Sequence, residues 1–207
     1  VERVGQSVLT CPTTACFNGL DAEDTVDVGG QLRFFGDGYQ ASKVLDGQRY
    51  WRVPVMEGEF LVQERFGVVK GVAGGNIIML GRDAESVLRA AEAAASAMRS
   101  VEGAIMPFPG GIARSGSKVG SRYSALPAST NDVLCPTLRG QVEHTEVPPD
   151  VEAVLEIVID GLALEPVREA MRRGLVAAAE AGASHVTAGN YGGNLGPHHI
   201  HLRELVP

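Results

Sequence analysis

The 207-residue sequence predicts an α+β fold built on a four-stranded sheet with both helices on one face. Two observations carry that expectation. A strand–helix–strand pattern occurs twice from Val68 onward, and each copy ends its helix at a glycine, Gly103 or Gly182. Two such units packed together give the split βαβ, or ferredoxin-like, arrangement.

Ahead of the first copy, Gln31–Phe35 and Tyr50–Val55 read as strands. In the first copy, Val68 to Leu80 is glycine-rich but extended and ends in the apolar run Ile77-Ile78-Met79-Leu80. Asp83 is a good N-cap. Val87, Leu88, Ala91, Ala95 and Met98 then share one helical face. Ala104-Ile105-Met106 starts a short strand before Pro107. In the second copy Val154–Ile159 is a strand and Pro166 opens a helix. Its buried stripe is Val167, Ala170, Met171, Leu175 and Ala178. Val186–Ala188 and His199–Leu202 are the closing strands. Thr137–Asp150 has no periodicity, ends in a double proline and reads as an exposed connection.

Composition narrows the function classes. A hydrophobic share of 44% is that of a globular protein. The net charge of −7 lacks the basic footprint of unspecific nucleic-acid binding and suits an anionic membrane poorly. No stretch reaches the apolar length of a membrane helix, and the first residues lack a signal-peptide pattern. Cys11, Cys16 and Cys135 are an odd set, most simply free thiols in a reducing cytoplasm. Neither nucleic acid nor membrane is an expected partner. Gly71-Val72-Ala73-Gly74-Gly75 lacks the lysine and serine of a phosphate-cradling loop. His199 and His201 alternate as two metal ligands could, with no third ligand evident, so no metal site is expected.

Four strings join backbone-permissive or stiff residues to hydrogen-bonding groups: Phe34–Gln40, Pro107–Gly111, Ser115–Gly120 and Leu126–Asp132. In the first, Asp37-Gly38 between aromatics signals a hairpin turn. Its rings, Phe35 and Tyr39 among them, suit either a flat ligand or a subunit contact. Ser115, Ser117, Lys118, Ser129, Thr130 and Asn131 supply mostly neutral donors, and Pro-Ala-Ser-Thr-Asn-Asp also reads as a turn with side-chain-to-backbone bonds. Glu156 is the most informative single residue. Alternation puts it on the strand face of Val154 and Val158, where an ionised carboxylate is expensive unless paired or exposed at a cleft. Held neutral there, it has the property of a general acid. A solvated face or an arginine pair are the alternatives. Cys135 and Cys11 could act as acyl-accepting nucleophiles, but no histidine stands at a motif spacing to either.

Taken together, these strings resemble the formylmethanofuran–tetrahydromethanopterin formyltransferase family over essentially the whole chain, which matches about the C-terminal two-thirds of the family pattern. The resemblance implies two ferredoxin-like lobes, one partial (1–58) and one complete (59–207), with Val1 inside a helix of the first lobe. It implies an acyltransferase of one-carbon metabolism that moves a formyl group between a methanofuran-type amine and N5 of a tetrahydromethanopterin-type pterin. Both carriers are then substrates, and no cofactor is bound permanently. The family's functional glutamate falls on Glu156, with Asn131 as the expected oxyanion donor. Ser115, Ser117, Lys118, Ser129, Thr130, Asp132, Gly110, Gly111, Phe35 and Tyr39 are the expected substrate contacts. A cytoplasmic homo-dimer or homo-tetramer is implied, as is a place beside other subunits of a formyltransferase/hydrolase complex. A non-catalytic scaffolding subunit, docking through Arg168, Arg172 and Arg173, is the alternative from another class.

Overall fold

A computed structural model describes residues 1–190 and 196–206. It is a mixed α/β structure that divides into two compact units, Val1–Lys70 and Gly71–Pro207.

In the first unit, Val1 caps the short helix α1 (Glu2–Val4). Its sheet has the order β1-β5-β4-β3, from β1 (Ala15–Cys16), β3 (Ala41–Leu45), β4 (Gln48–Val55) and β5 (Gly58–Gln63). A smaller pair joins β2 (Thr25–Asp27) to β6 (Arg65–Gly67). Because β5 pairs with β4 along its length, residues 59–70 fold with this unit. Val28, Val53, Phe60 and Val62 form its core.

Two expectations change here. Gln31–Phe35 is not a strand: α2 (Gly29–Leu32) runs into a 3₁₀ turn at Arg33–Gly36. Val28 and Leu32 meet the core four residues apart, which is helical spacing. Asp37-Gly38 accordingly ends that turn, with Asp37 left-handed at φ 50°, and joins no hairpin. The hairpin forms at Asp46-Gly47, between Leu45 and Gln48, with φ 49° and 77°. Positive φ at both positions is what a two-residue type I′ turn demands.

The second unit runs β7 (Val72–Gly81), α3 (Ala84–Met98), β8 (Ala104–Ile105), β11 (Ala153–Gly161), α4 (Leu164–Glu180), β12 (His185–Thr187), in the sheet order β12-β7-β11-β8. A small antiparallel pair, β9 (Lys118–Val119) and β10 (Ala128–Ser129), lies between β8 and β11 in sequence. Asp83 caps α3 by accepting the Ser86 N–H at 2.7 Å. That bond is the main cause holding its carboxyl below the ordinary range. Ile77, Met79, Ile157 and Ile159 face the stripes of α3 and α4 and are fully buried. A Cβ at Gly174 would run into the Met98 side chain, so glycine is what lets α4 close on α3. Leu88, read into the buried face of α3, is 43% exposed.

Among the described residues, the predicted strand His199–Leu202 pairs with no other strand, and its end enters a 3₁₀ turn at Leu202–Glu204. Ile200 and Leu202 still pack on the helix-side core, so the alternation reported burial and not a ladder. Asn76, buried on β7, supplies strand-like bonds to the chain near the end. It accepts from Gly189 N–H at 2.7 Å and donates to Gly189 O at 3.0 Å.

Candidate active site

The opposite face of the β7–β11 sheet carries Ile78, Leu80, Val154 and Glu156. No helix covers it. Chain between β8 and β11 does, with Leu134, Val147 and Val151 packed on Ile78 and Leu80. Val147 is 4% exposed, so the predicted exposed connection contributes to the core. Covering by irregular chain leaves a cavity of about 810 Å³. Its apolar wall includes Ile78, Val87, Leu88, Ile112, Leu134 and Val154. Its polar groups include Glu156, Asn131, Ser115, Arg114, Cys135 and Thr137.

Glu156 is held by its own backbone. It pairs with Ile78 of β7 on one side. On the other side it exchanges two hydrogen bonds with Ala113, at 2.8 and 2.9 Å. The residue is 8% exposed, and its carboxylate has no hydrogen-bond or ion-pair partner among the described residues. Burial pushes its pKa up. Of the readings open from sequence, the solvated face and the arginine pair are therefore absent. A lone carboxyl in an apolar wall retains its proton to higher pH and can give it to a bound group.

Asn131, 7% exposed, precedes the 3₁₀ turn Asp132–Leu134. Its carbonyl accepts from Leu134 N–H at 3.0 Å and from the Cys135 thiol at 3.3 Å. Thus the expected catalytic pair and Ser115 line one cavity.

The remaining expected contacts lie elsewhere. Lys118 and Asp132 bond each other at 2.6 Å, which holds the Asp132 carboxyl below the ordinary range. Ser129 Oγ donates to Gly120 O at 2.7 Å, and Thr130 Oγ1 meets Cys135 Sγ at 3.5 Å. These contacts tie β9 and β10 to the Asn131 turn and do not line the cavity. Ser117 also has a polar contact and does not line it. Gly110 offers its carbonyl to Arg99 at 2.9 Å, and Gly111 packs beside Met106. Phe35 and Tyr39 are exposed residues of the first unit.

Sequence reasoning left out Arg114, Thr137 and Glu152, which the cavity wall includes. The Ala113–Glu156 bridge that brings Arg114 there has no sequence signal. Among the described residues, no cluster of three His, Cys, Asp or Glu could hold a metal, and no helix is long and apolar enough to cross a membrane.

A family pattern described as formylmethanofuran-tetrahydromethanopterin formyltransferase matches residues 1–55, and one described as its proximal lobe matches residues 58–205. The chain belongs to this family. The formylmethanofuran–tetrahydromethanopterin formyltransferase of Methylobacillus flagellatus is 55% identical over 99% of the chain and 70% of that protein. The solved formyltransferase of Methanosarcina barkeri superposes with a TM-score of 0.78 at 47% identity, covering 99% of this chain and 70% of that one. A chain of the formyltransferase/hydrolase complex of Methylorubrum extorquens, solved with methylofuran, gives 0.77 at 51% identity, covering 99% and 69%.

Proposed function

We propose that this protein is a formyltransferase that moves a formyl group between the amine of a methanofuran-type carrier and N5 of a tetrahydromethanopterin-type pterin. Family membership supports the reaction. The single observation that carries the mechanism is the buried, unpartnered carboxyl of Glu156 in the wall of a largely apolar cavity.

In one direction, the pterin nitrogen attacks the formyl carbon and the carbonyl pair moves to oxygen as an oxyanion. Collapse breaks the bond from carbon to the carrier nitrogen. The proton lost from N5 is the proton the departing amine needs. Glu156 can carry it by accepting at one nitrogen and donating at the other. Its raised pKa suits a group that must both hold and release a proton. Asn131 and Ser115 are neutral donors for the oxyanion, and neutrality avoids drawing the Glu156 proton off by ion pairing. Holding two carriers in contact supplies further rate through orientation.

In this reading the chain divides into a partial lobe, 1–58, and a second lobe, 59–207; the two family matches, to residues 1–55 and 58–205, support it, while β5 and β6 pair within the first unit. The second lobe reads as split βαβ with its second face roofed by loops. Ser117, Lys118, Ser129, Thr130, Asp132, Gly110, Gly111, Phe35 and Tyr39 stay proposed as carrier contacts outside the cavity. A cytoplasmic homo-dimer or homo-tetramer, working beside other subunits or alone, completes the reading.

Glu156→Gln tests it. Formyl transfer should fall by about 10²–10⁴, the usual worth of general acid–base help, while carrier affinity stays within threefold. A variant that turns over within threefold of the parent removes Glu156 from the mechanism.

A further inference from the structure

The second unit carries ten arginines. Seven are engaged: Arg82, Arg89, Arg139, Arg168, Arg172 and Arg173 in ion pairs, and Arg99 on the Gly110 carbonyl. Of the three without a partner among the described residues, Arg114, Arg122 and Arg203, only Arg114 lines the cavity.

Three further observations bear on Arg114. It directly follows Ala113, whose two backbone bonds fasten this stretch to Glu156, so its Cα is fixed relative to the Glu156 backbone. The residue is exposed, which puts it at the mouth, while Glu156 lies buried in the wall. The two do not pair, and burial alone accounts for the Glu156 shift. An arginine at the mouth that neither neutralises the buried acid nor serves the fold is placed to meet a ligand's charge. The chain's net charge of −7 makes this local cation matter more, since the surroundings as a whole repel anions.

We propose that Arg114 is an anion-anchoring residue at the cavity mouth. It would take an oxyanion, carboxylate or phosphate, carried on the tail of a ligand whose flat or apolar part enters between Ile78, Leu88, Ile112 and Val154. This rests on the formyltransferase reading in assigning that apolar part to a one-carbon carrier. A tail anchored at the mouth fixes the depth at which the reacting group meets Glu156.

Calorimetric titration of the intact protein tests the anchor. The probes are N-furfurylformamide, which is neutral, and two derivatives bearing a carboxylate or a phosphate on the same short linker. The parent should bind at least one charged derivative about 10- to 100-fold more tightly than the neutral probe, the range for a hydrogen bond to a charged group. Whichever derivative gains identifies the anion. In Arg114→Gln the preference should fall to near one, and Arg114→Lys should retain part of it as a point charge. Three outcomes overturn the anchor: a parent with no preference, a glutamine variant that keeps it, or one that weakens all three probes alike. Absence of formyl transfer with the preference intact would instead sink the formyltransferase reading and leave the anchor standing.

Discussion

The two faces of the β7–β11 sheet are covered in opposite ways. On one, Ile77, Met79, Ile157 and Ile159 meet two long helices, and every one of them is fully buried. On the other, Ile78, Leu80 and Val154 meet short 3₁₀ turns and irregular chain, and an 810 Å³ cavity remains. A helix presents a continuous apolar stripe with its backbone polar groups satisfied internally, so it meshes with a pleated surface. Irregular chain must spend side chains and turns on its own backbone, as the Ser129 hydroxyl on Gly120 O and the turn bond to Asn131 O illustrate. It fills space less completely. The same strands thus yield a rigid base on one face and room for a ligand on the other, with Glu156 on the roomy side.

The sharpest way to break this comparison is to hollow both faces. Met98→Ala, at the α3–α4 seam, should destabilise by about 2–5 kcal/mol in urea unfolding, the range for a large-to-small change in a close-packed core. Turnover per folded molecule should hold. Leu134→Ala removes a side chain that already borders a cavity, so less packing is lost and its cost should be clearly smaller. Equal costs for the two would mean that the loop-covered face is packed as tightly as the helical one.

A smaller effect, on rate, sharpens what the loop side is for. Asn131→Ala should slow formyl transfer by about 10- to 1000-fold, up to the range for a lost oxyanion donor. Any fall in melting temperature should be separable from the loss of rate, because the turn's backbone bonds, Leu134 N–H to Asn131 O among them, survive the change. Early melting with normal turnover per folded molecule would make Asn131 a turn residue.

How far the sequence spoke follows the same division. The helix stripes, the Asp83 cap and the β11 strand were legible because each is a local, periodic pattern that the core repeats in space. Glu156 was legible for the opposite reason, as the break in an apolar alternation. The cavity wall was not. Arg114 and Thr137 sit in chain with no period, and an isolated bridge between Ala113 and Glu156 places Arg114 there. Asp-Gly misled in the first unit because the dipeptide says only that φ can be positive. Flanking alternation decides between a hairpin and a helix end, and only Asp46-Gly47 joins paired strands. Residue type alone reads Ser129 as part of a turn, and the resemblance makes Ser129 and Lys118 carrier contacts. The loop's own bonds take both groups, with Gly120 and Asp132 as partners.

The smallest expected effect concerns the pH dependence of folding and isolates the environment of Glu156 from its chemistry. Burial raises the pKa of this carboxyl in the folded protein. At low pH the acid is neutral in both states, and Glu156→Gln should then match the parent closely. As pH climbs past the ordinary glutamate range, the unfolded chain releases its proton while the folded one still holds it. Ionisation therefore favours unfolding, and the parent loses stability relative to the glutamine variant until the folded carboxyl also ionises. The slope in that window cannot exceed that of one proton, about 1.4 kcal/mol per pH unit. Above the window the difference is constant, with the variant the more stable. Thermal melts of both proteins across that range check the sign. A parent that gains on the variant as pH rises would mean that a cation or donor meets the carboxylate in solution. The loop-covered face would then hold a charge pair in place of a protonated acid.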